Sequence, residues 1–198
     1  MSRRTAGVVL TEGAAAGIDD GADPLHEIDG TPLACRVADR LAPLIDELVV
    51  HCRRERRDAL ANALDGATHE PRFALDTVGD RGPVFALRTV FRVAAAEYAV
   101  AVGPLSQVDP TLLAYLHNRA RSGTADAVVP RVDGRLVPHC AVYRVDSGRR
   151  ACETATRQPD PRLDSVLDRL DVDAVDEATV AQYADDRAFE AARTEGDA

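Results

Sequence analysis

The sequence predicts a Rossmann-like three-layer α/β/α sandwich built on a mostly parallel sheet, and three observations predict it. Short apolar runs alternate with stretches of helical spacing, as repeated βαβ units do. Tyr98-Ala99-Val100-Ala101-Val102 is apolar on both faces of a strand, which fits a central strand covered by helices on either side. A small-residue segment, TEGAAAGIDDGADPLHEIDGTPL, follows the first apolar run, where such sheets bind ligands beyond the carboxyl ends of their strands. With 198 residues, no internal repeat and no long linker, the chain is expected to form one domain, 1–198.

The elements follow in order. After a strand at 6–10 and its loop, Leu33, Val37, Leu41 and Leu44 recur at helical spacing, and Pro43 helps to end that helix. Residues 46–52 read as a short strand, 53–64 as a polar helix with Leu60 and Leu64 on one face, and 72–76 as a third strand. Asp80-Arg81-Gly82-Pro83 starts a helix, because proline is preset for the first helical position. Val84, Leu87, Val90, Phe91 and Ala94 form its apolar stripe. Beyond the strand at 98–102, Asp109-Pro110 caps a helix with Leu112, Leu113, Leu116 and Ala120 inward. Residues 127–130, a turn at Asp133-Gly134 and 136–143 read as a hairpin. A helix at 163–170, a strand at 172–175 and a helix from 179 to about 192 close the chain.

Composition narrows the function classes. Net charge is −9, all 24 basic residues are arginine, and 23 aspartates stand against 10 glutamates. A carboxylate-rich surface without lysine suits molar salt, which predicts a halophile's protein; GC-rich coding also favours arginine over lysine. An acidic chain is a poor partner for nucleic-acid phosphates. No stretch approaches the roughly 18 apolar residues of a membrane span, and the first strand follows the N-terminus too closely for a signal peptide, so a cytoplasmic location is expected. Cys35, Cys52, Cys140 and Cys152 lack CxxC spacing and read as free thiols. The histidines do not cluster either, so no metal site is predicted. Arg53-Arg54-Glu55-Arg56-Arg57 reads as a solvated helix start.

Three stretches, in this order and spacing, carry a resemblance. "GVVL" leads through the glycine loop to "IDGTPLACRVADRLAPLIDELVV", "DRGPVFALRTVFRVA" makes a Gly-Pro-led helix, and "AVVPRVDGRLVPHCAVYR" makes a hairpin ending in Tyr-Arg. From residue 6 to about 189 the chain resembles the molybdenum cofactor guanylyltransferases, the MobA family of nucleotidyltransferases. The resemblance implies a nucleotide-diphospho-sugar-transferase-like fold, Mg and GTP as cofactors, and guanylyl transfer to the phosphate of molybdopterin. It implies GTP, molybdopterin and proteins of the same pathway as partners, with no nucleic acid and no membrane.

Carried over residue by residue, it makes Leu10, Thr11 and Gly13 the start of a phosphate loop. Asp76 falls on an acidic residue that helps to read guanine, and Arg53 near an asparagine after the second strand. A solvent-facing strand end is the other reading of Asp76, and simple helix initiation explains Gly82 and Pro83. The rest of the signature departs. Glu12 stands at the first glycine of the loop, Gly17 at its arginine, and Gly21 and Ala22 on its Asp-Lys pair. Pro104 or a neighbour replaces the metal-binding aspartate, and Val180-Ala181-Gln182-Tyr183 replaces an asparagine-rich motif.

No catalytic residue is therefore assigned. The loop has the glycines of a phosphate site but carries Glu12, Asp19, Asp20, Asp23, Glu27 and Asp29 and no cation. Weak or absent triphosphate binding is expected, with Arg53 or Arg81 as substitute phosphate contacts. Asp19, Asp20 and Asp23 match no ion loop and read as solvated. Three functions stay open: a divergent, impaired nucleotidyltransferase; a non-catalytic relative that binds a cofactor, nucleotide or partner protein; and a sugar-nucleotide transferase, against which the hairpin and its Tyr-Arg ending count.

Overall fold

The computed structural model describes residues 4–11, 23–76, 82–103 and 109–184. Gly13, Arg81 and the residues just after Gly103 therefore lie outside the described residues. The first half of the chain runs β1 (Thr5–Leu10), β2 (Glu27–Ile28), β3 (Thr31–Pro32), α1 (Leu33–Leu41), β4 (Glu47–Arg53), α2 (Arg57–Ala63), β5 (Pro71–Asp76) and α3 (Pro83–Val93). The second half runs β6 (Tyr98–Val102), α4 (Pro110–Ser122), β7 (Ala127–Val132), β8 (Arg135–Leu136), β9 (Cys140–Arg144), α5 (Val145–Ala155), α6 (Leu163–Leu167), β10 (Val172–Val175) and α7 (Glu177–Val180).

The main sheet has the order β10-β7-β9-β6-β1-β4-β5, with β8 paired to β7, while β2 and β3 form a small separate ribbon. β1 runs parallel to both β4 and β6, β4 parallel to β5, and β10 parallel to β7. β9 is antiparallel to β6 and β7. Alternation along each strand divides the core in two. Val9, Val50, Cys52, Val100 and Val102 pack with Leu33, Leu41, Leu60, Leu112 and Leu116 of α1, α2 and α4. Val8, Leu10, Val49, Ala99 and Ala101 pack with Val84, Leu87, Phe91, Cys152 and Val166 of α3, α5 and α6. This is the predicted sandwich, and β6 is buried along its full length.

Four local expectations change. Arg53 ends β4 rather than starting a helix; a 3₁₀ turn, Arg54–Arg56, separates it from α2. The strand expected at 136–143 breaks: β8 closes the hairpin with β7, Cys140 N donates to Val137 O at 3.1 Å, and β9 starts afresh between β6 and β7. The helix expected from 179 begins at Glu177, where the Asp176 side chain accepts from Thr179 N, and after Val180 the chain turns over residues 181–183. Helix α5 was not legible at all. Its buried face is Val145, Gly148, Ala151, Cys152 and Ala155, which lacks the large apolar stripe that marks α3.

Candidate functional site

The carboxyl ends of β1, β4, β5 and β6 lie side by side at one edge of the sheet, so parallel pairing alone gathers the predicted positions there. Leu10 is 4% exposed and belongs to the core beneath α3, which leaves only its main chain to the edge. Thr11 is also buried, and its hydroxyl donates to the carbonyl of His51 at 2.6 Å. Arg53 and Asp76 stand opposite each other in the β4–β5 register, Arg53 exposed and the Asp76 side chain 18% exposed.

Asp76 is not the solvated strand end that was the other reading. Its Oδ2 lies 3.0 Å from His51 Nε2, and its Oδ1 lies 3.2 Å from the Thr89 hydroxyl of α3. Burial alone would push the carboxyl up. The His51 hydrogen bond and electrostatic pull, Thr89 and the Arg88 guanidinium together outweigh it and hold Asp76 below its ordinary value. The edge therefore presents an ionised, hydrogen-bonded carboxylate.

Several other charged groups at this end are engaged. Asp23 Oδ1 accepts from Leu25 N and from Arg56 Nη1, each at 3.0 Å, which joins the acidic loop to the arginine run after β4. Those two donors lower the Asp23 carboxyl, the Leu25 amide most. Arg57 lies over the Phe73 ring at 5.4 Å and pairs with Asp58. At the end of β6, Gly103 N donates to His139 O at 2.7 Å. Asp109, the next carboxylate, is spent as the cap of α4, accepting from Thr111 N at 2.7 Å. His139 is buried and its Nε2 has no partner; burial pushes it down to about 4, so it is neutral at pH 7.

No group of three or more His, Cys, Asp or Glu able to hold a metal occurs among the described residues. The described carboxylates named at this end, Asp76, Asp23, Asp58 and Asp109, belong to no such group, so the described residues assemble no Mg²⁺ site. The four cysteines are free, and burial pushes Cys140 and Cys152 up to about 12. No described helix is long and apolar enough to cross a membrane.

Sequence reasoning missed His51 and Thr89. The signal was present: His51 is the polar residue within the otherwise apolar stretch Leu48-Val49-Val50-His51-Cys52, and a buried polar side chain needs a partner.

Comparison with known proteins agrees with this architecture. Residues 7–175 match the family model of the MobA-like NTP transferase domain. The chain is 36% identical over 198 residues to a probable molybdenum cofactor guanylyltransferase of Natronomonas pharaonis, covering all of this chain and 96% of that protein. It is 37% identical over 188 residues to a protein of the same description from Haloferax mediterranei, covering 93% of this chain and 86% of that one. The solved structure of molybdopterin-guanine dinucleotide biosynthesis protein A from Archaeoglobus fulgidus superposes with a TM-score of 0.68 at 18% identity, over 96% and 97% of the two chains. That last likeness is one of fold. With the match to the family model spanning most of its length, and two relatives alike across nearly all of theirs, the chain belongs to the MobA-like NTP transferase family.

Proposed function

We propose that this chain binds a guanine nucleotide at the carboxyl edge of its sheet and serves the guanylylation step of molybdenum cofactor biosynthesis. The observation that carries the reading is the ionised Asp76 carboxylate, held at the end of β5 and linked through His51 of β4 to Thr11 at the root of the β1 loop. Guanine offers two adjacent N–H donors on its Watson–Crick edge, and a carboxylate is acceptor-only, so the two match. Adenine sets an acceptor at one of those positions and is disfavoured. Thr11 and the main chain of Leu10 lead into the loop that contains Gly13, and Arg53 is the cation best placed for a phosphate. GTP and molybdopterin are the small-molecule partners in this reading.

Binding is led by the base rather than by the triphosphate. The loop lacks the lysine and arginine that charge-assisted phosphate contacts need, and molar salt does not replace missing donors. The described residues do not fit Mg²⁺, so no step is derived through it. Transfer is consequently slow or absent. A second reading, a non-catalytic relative that binds nucleotide or a partner protein of the pathway, is favoured by Val102-Gly103-Pro104-Leu105-Ser106, which offers no carboxylate after the central strand.

The test is binding of GTP, GMP and ATP to the full chain, with guanylyl transfer to molybdopterin assayed in parallel. Base-led binding predicts GTP and GMP dissociation constants within about tenfold, which is 1.4 kcal/mol, and weaker ATP. Equal affinity for GTP and ATP contradicts it. Transfer at an ordinary enzymatic rate removes the second reading.

A further inference from the structure

We infer that His51, seconded by Thr89, is the positioning residue that sets guanine selectivity, by clamping the Asp76 carboxylate in one orientation. This rests on the proposed reading of Asp76.

The clamp has two sides. His51 Nε2 is 3.0 Å from Asp76 Oδ2, and the His51 ring is 2% exposed. An ionised carboxylate only accepts, so the hydrogen of this bond belongs to Nε2. Nδ1 of the same ring is enclosed and has no partner, so the ring's hydrogen bonding is directed wholly at Asp76. On the other side the Thr89 hydroxyl shares one hydrogen between Asp76 Oδ1 at 3.2 Å and Phe85 O at 2.9 Å, and is the weaker hold. Each carboxylate oxygen has two lone-pair directions. His51 and Thr89 use one acceptor position on each oxygen, which leaves the carboxylate with acceptor capacity for the N–H donors of a base.

His51 also ties the two halves of the site together. Its carbonyl accepts a hydrogen bond from the hydroxyl of Thr11, just after β1, while its ring holds Asp76 of β5, so one residue of β4 spans the loop root and the base reader. An unclamped carboxylate would have to lose its rotamer freedom on binding guanine. Adenine, which gains nothing from the carboxylate, would be indifferent to the clamp. A residue that merely supports the fold would affect both nucleotides alike.

The experiment is calorimetric titration of GTP and ATP into the full chain, the His51→Leu, His51→Gln, Thr89→Val and Asp76→Ala variants, with thermal unfolding of each. His51→Leu is expected to lower the GTP-over-ATP preference about tenfold, the size of a lost hydrogen bond to a charged group, with ATP affinity unchanged. His51→Gln, whose amide can still donate, recovers most of the preference. Thr89→Val lowers it by a smaller factor and carries the test if the leucine variant does not fold. An unchanged preference in His51→Leu and Thr89→Val, alongside its loss in Asp76→Ala, overturns the clamp and leaves the base-reading role standing. Equal losses for GTP and ATP reduce His51 to a structural residue and also overturn the clamp. No effect in Asp76→Ala, or no binding of either nucleotide by the natural chain, removes the underlying reading and the clamp with it.

Discussion

Asp76, at the end of β5, is bound through Oδ2 to the buried ring of His51 on the adjacent strand, 3.0 Å away. The pair makes the stability of this edge depend on pH. The folded carboxyl ionises below the roughly 3.9 of an unfolded aspartate. Its contribution is therefore complete above that value and is lost as the pH falls through the lower, folded one. Asp76→Asn should be less stable than the natural chain by about 1 kcal/mol at neutral pH, and the gap should close below about pH 4. Chemical denaturation across that range measures it, and a gap independent of pH would contradict the ionised pair.

Gly148 in α5 is needed for contact with Phe91. A Cβ there would lie 2.7 Å from Phe91 Cε2 and 2.9 Å from Cζ. Phe91 is 2% exposed and packs edge-on against Tyr143, so its ring cannot yield. In an exposed helix, glycine to alanine gains about 1 kcal/mol; overpacking a core costs about 1–3 kcal/mol. The contact wins, and Gly148→Ala should lower the urea midpoint. A rise would show that α3 and α5 can separate at no cost.

His139 predicts an acid sensitivity of its own. Burial depresses it from 6.5 to about 4, so the unfolded chain binds a proton there that the folded chain refuses. Stability should fall as the pH drops from 6.5 toward 4, by an amount on the order of 3 kcal/mol. His139→Leu, which removes the unpartnered Nε2, should flatten that slope while leaving stability at pH 7 little changed. Parallel slopes for the two proteins would contradict it.

The fold was legible because its signals are redundant. Hydrophobic runs such as Tyr98-Ala99-Val100-Ala101-Val102 and the Pro110 and Pro83 helix starts each mark an element independently. Helix α5 was missed because glycine, alanine and cysteine fill its inner face, and close approach to Phe91 leaves no large residue to betray it. The strand interruption at 137–139 was hidden for a similar reason, since a run that reads as one strand carries no mark of where β8, paired to β7 alone, gives way to β9, paired to both β6 and β7. At the site, Asp76 was found through the family resemblance, which falls on the end of its strand. Its partners were not: His51 is 25 residues away and Thr89 is 13, and only the β4–β5 register and the packing of α3 bring them together.

The composition carries a further expectation. With 33 carboxylates against 24 arginines, self-repulsion is screened over about 3 Å at 1 M salt but over about 10 Å at 0.1 M. Raising KCl from roughly 0.1 to 2 M should raise Tm by about 5 °C or more, equivalent to about 2 kcal/mol. A flat Tm across that range would assign the arginine bias to coding alone.

The most direct measurement is calorimetric titration of GTP, with Mg²⁺ present, into the natural chain and Asp76→Ala in roughly molar KCl. The account predicts binding to the natural chain with a Kd below about 1 mM, or −4.1 kcal/mol, and at least tenfold weaker binding to the variant. No binding by the natural chain up to millimolar GTP, or equal binding by the two, would contradict a guanine site at Asp76.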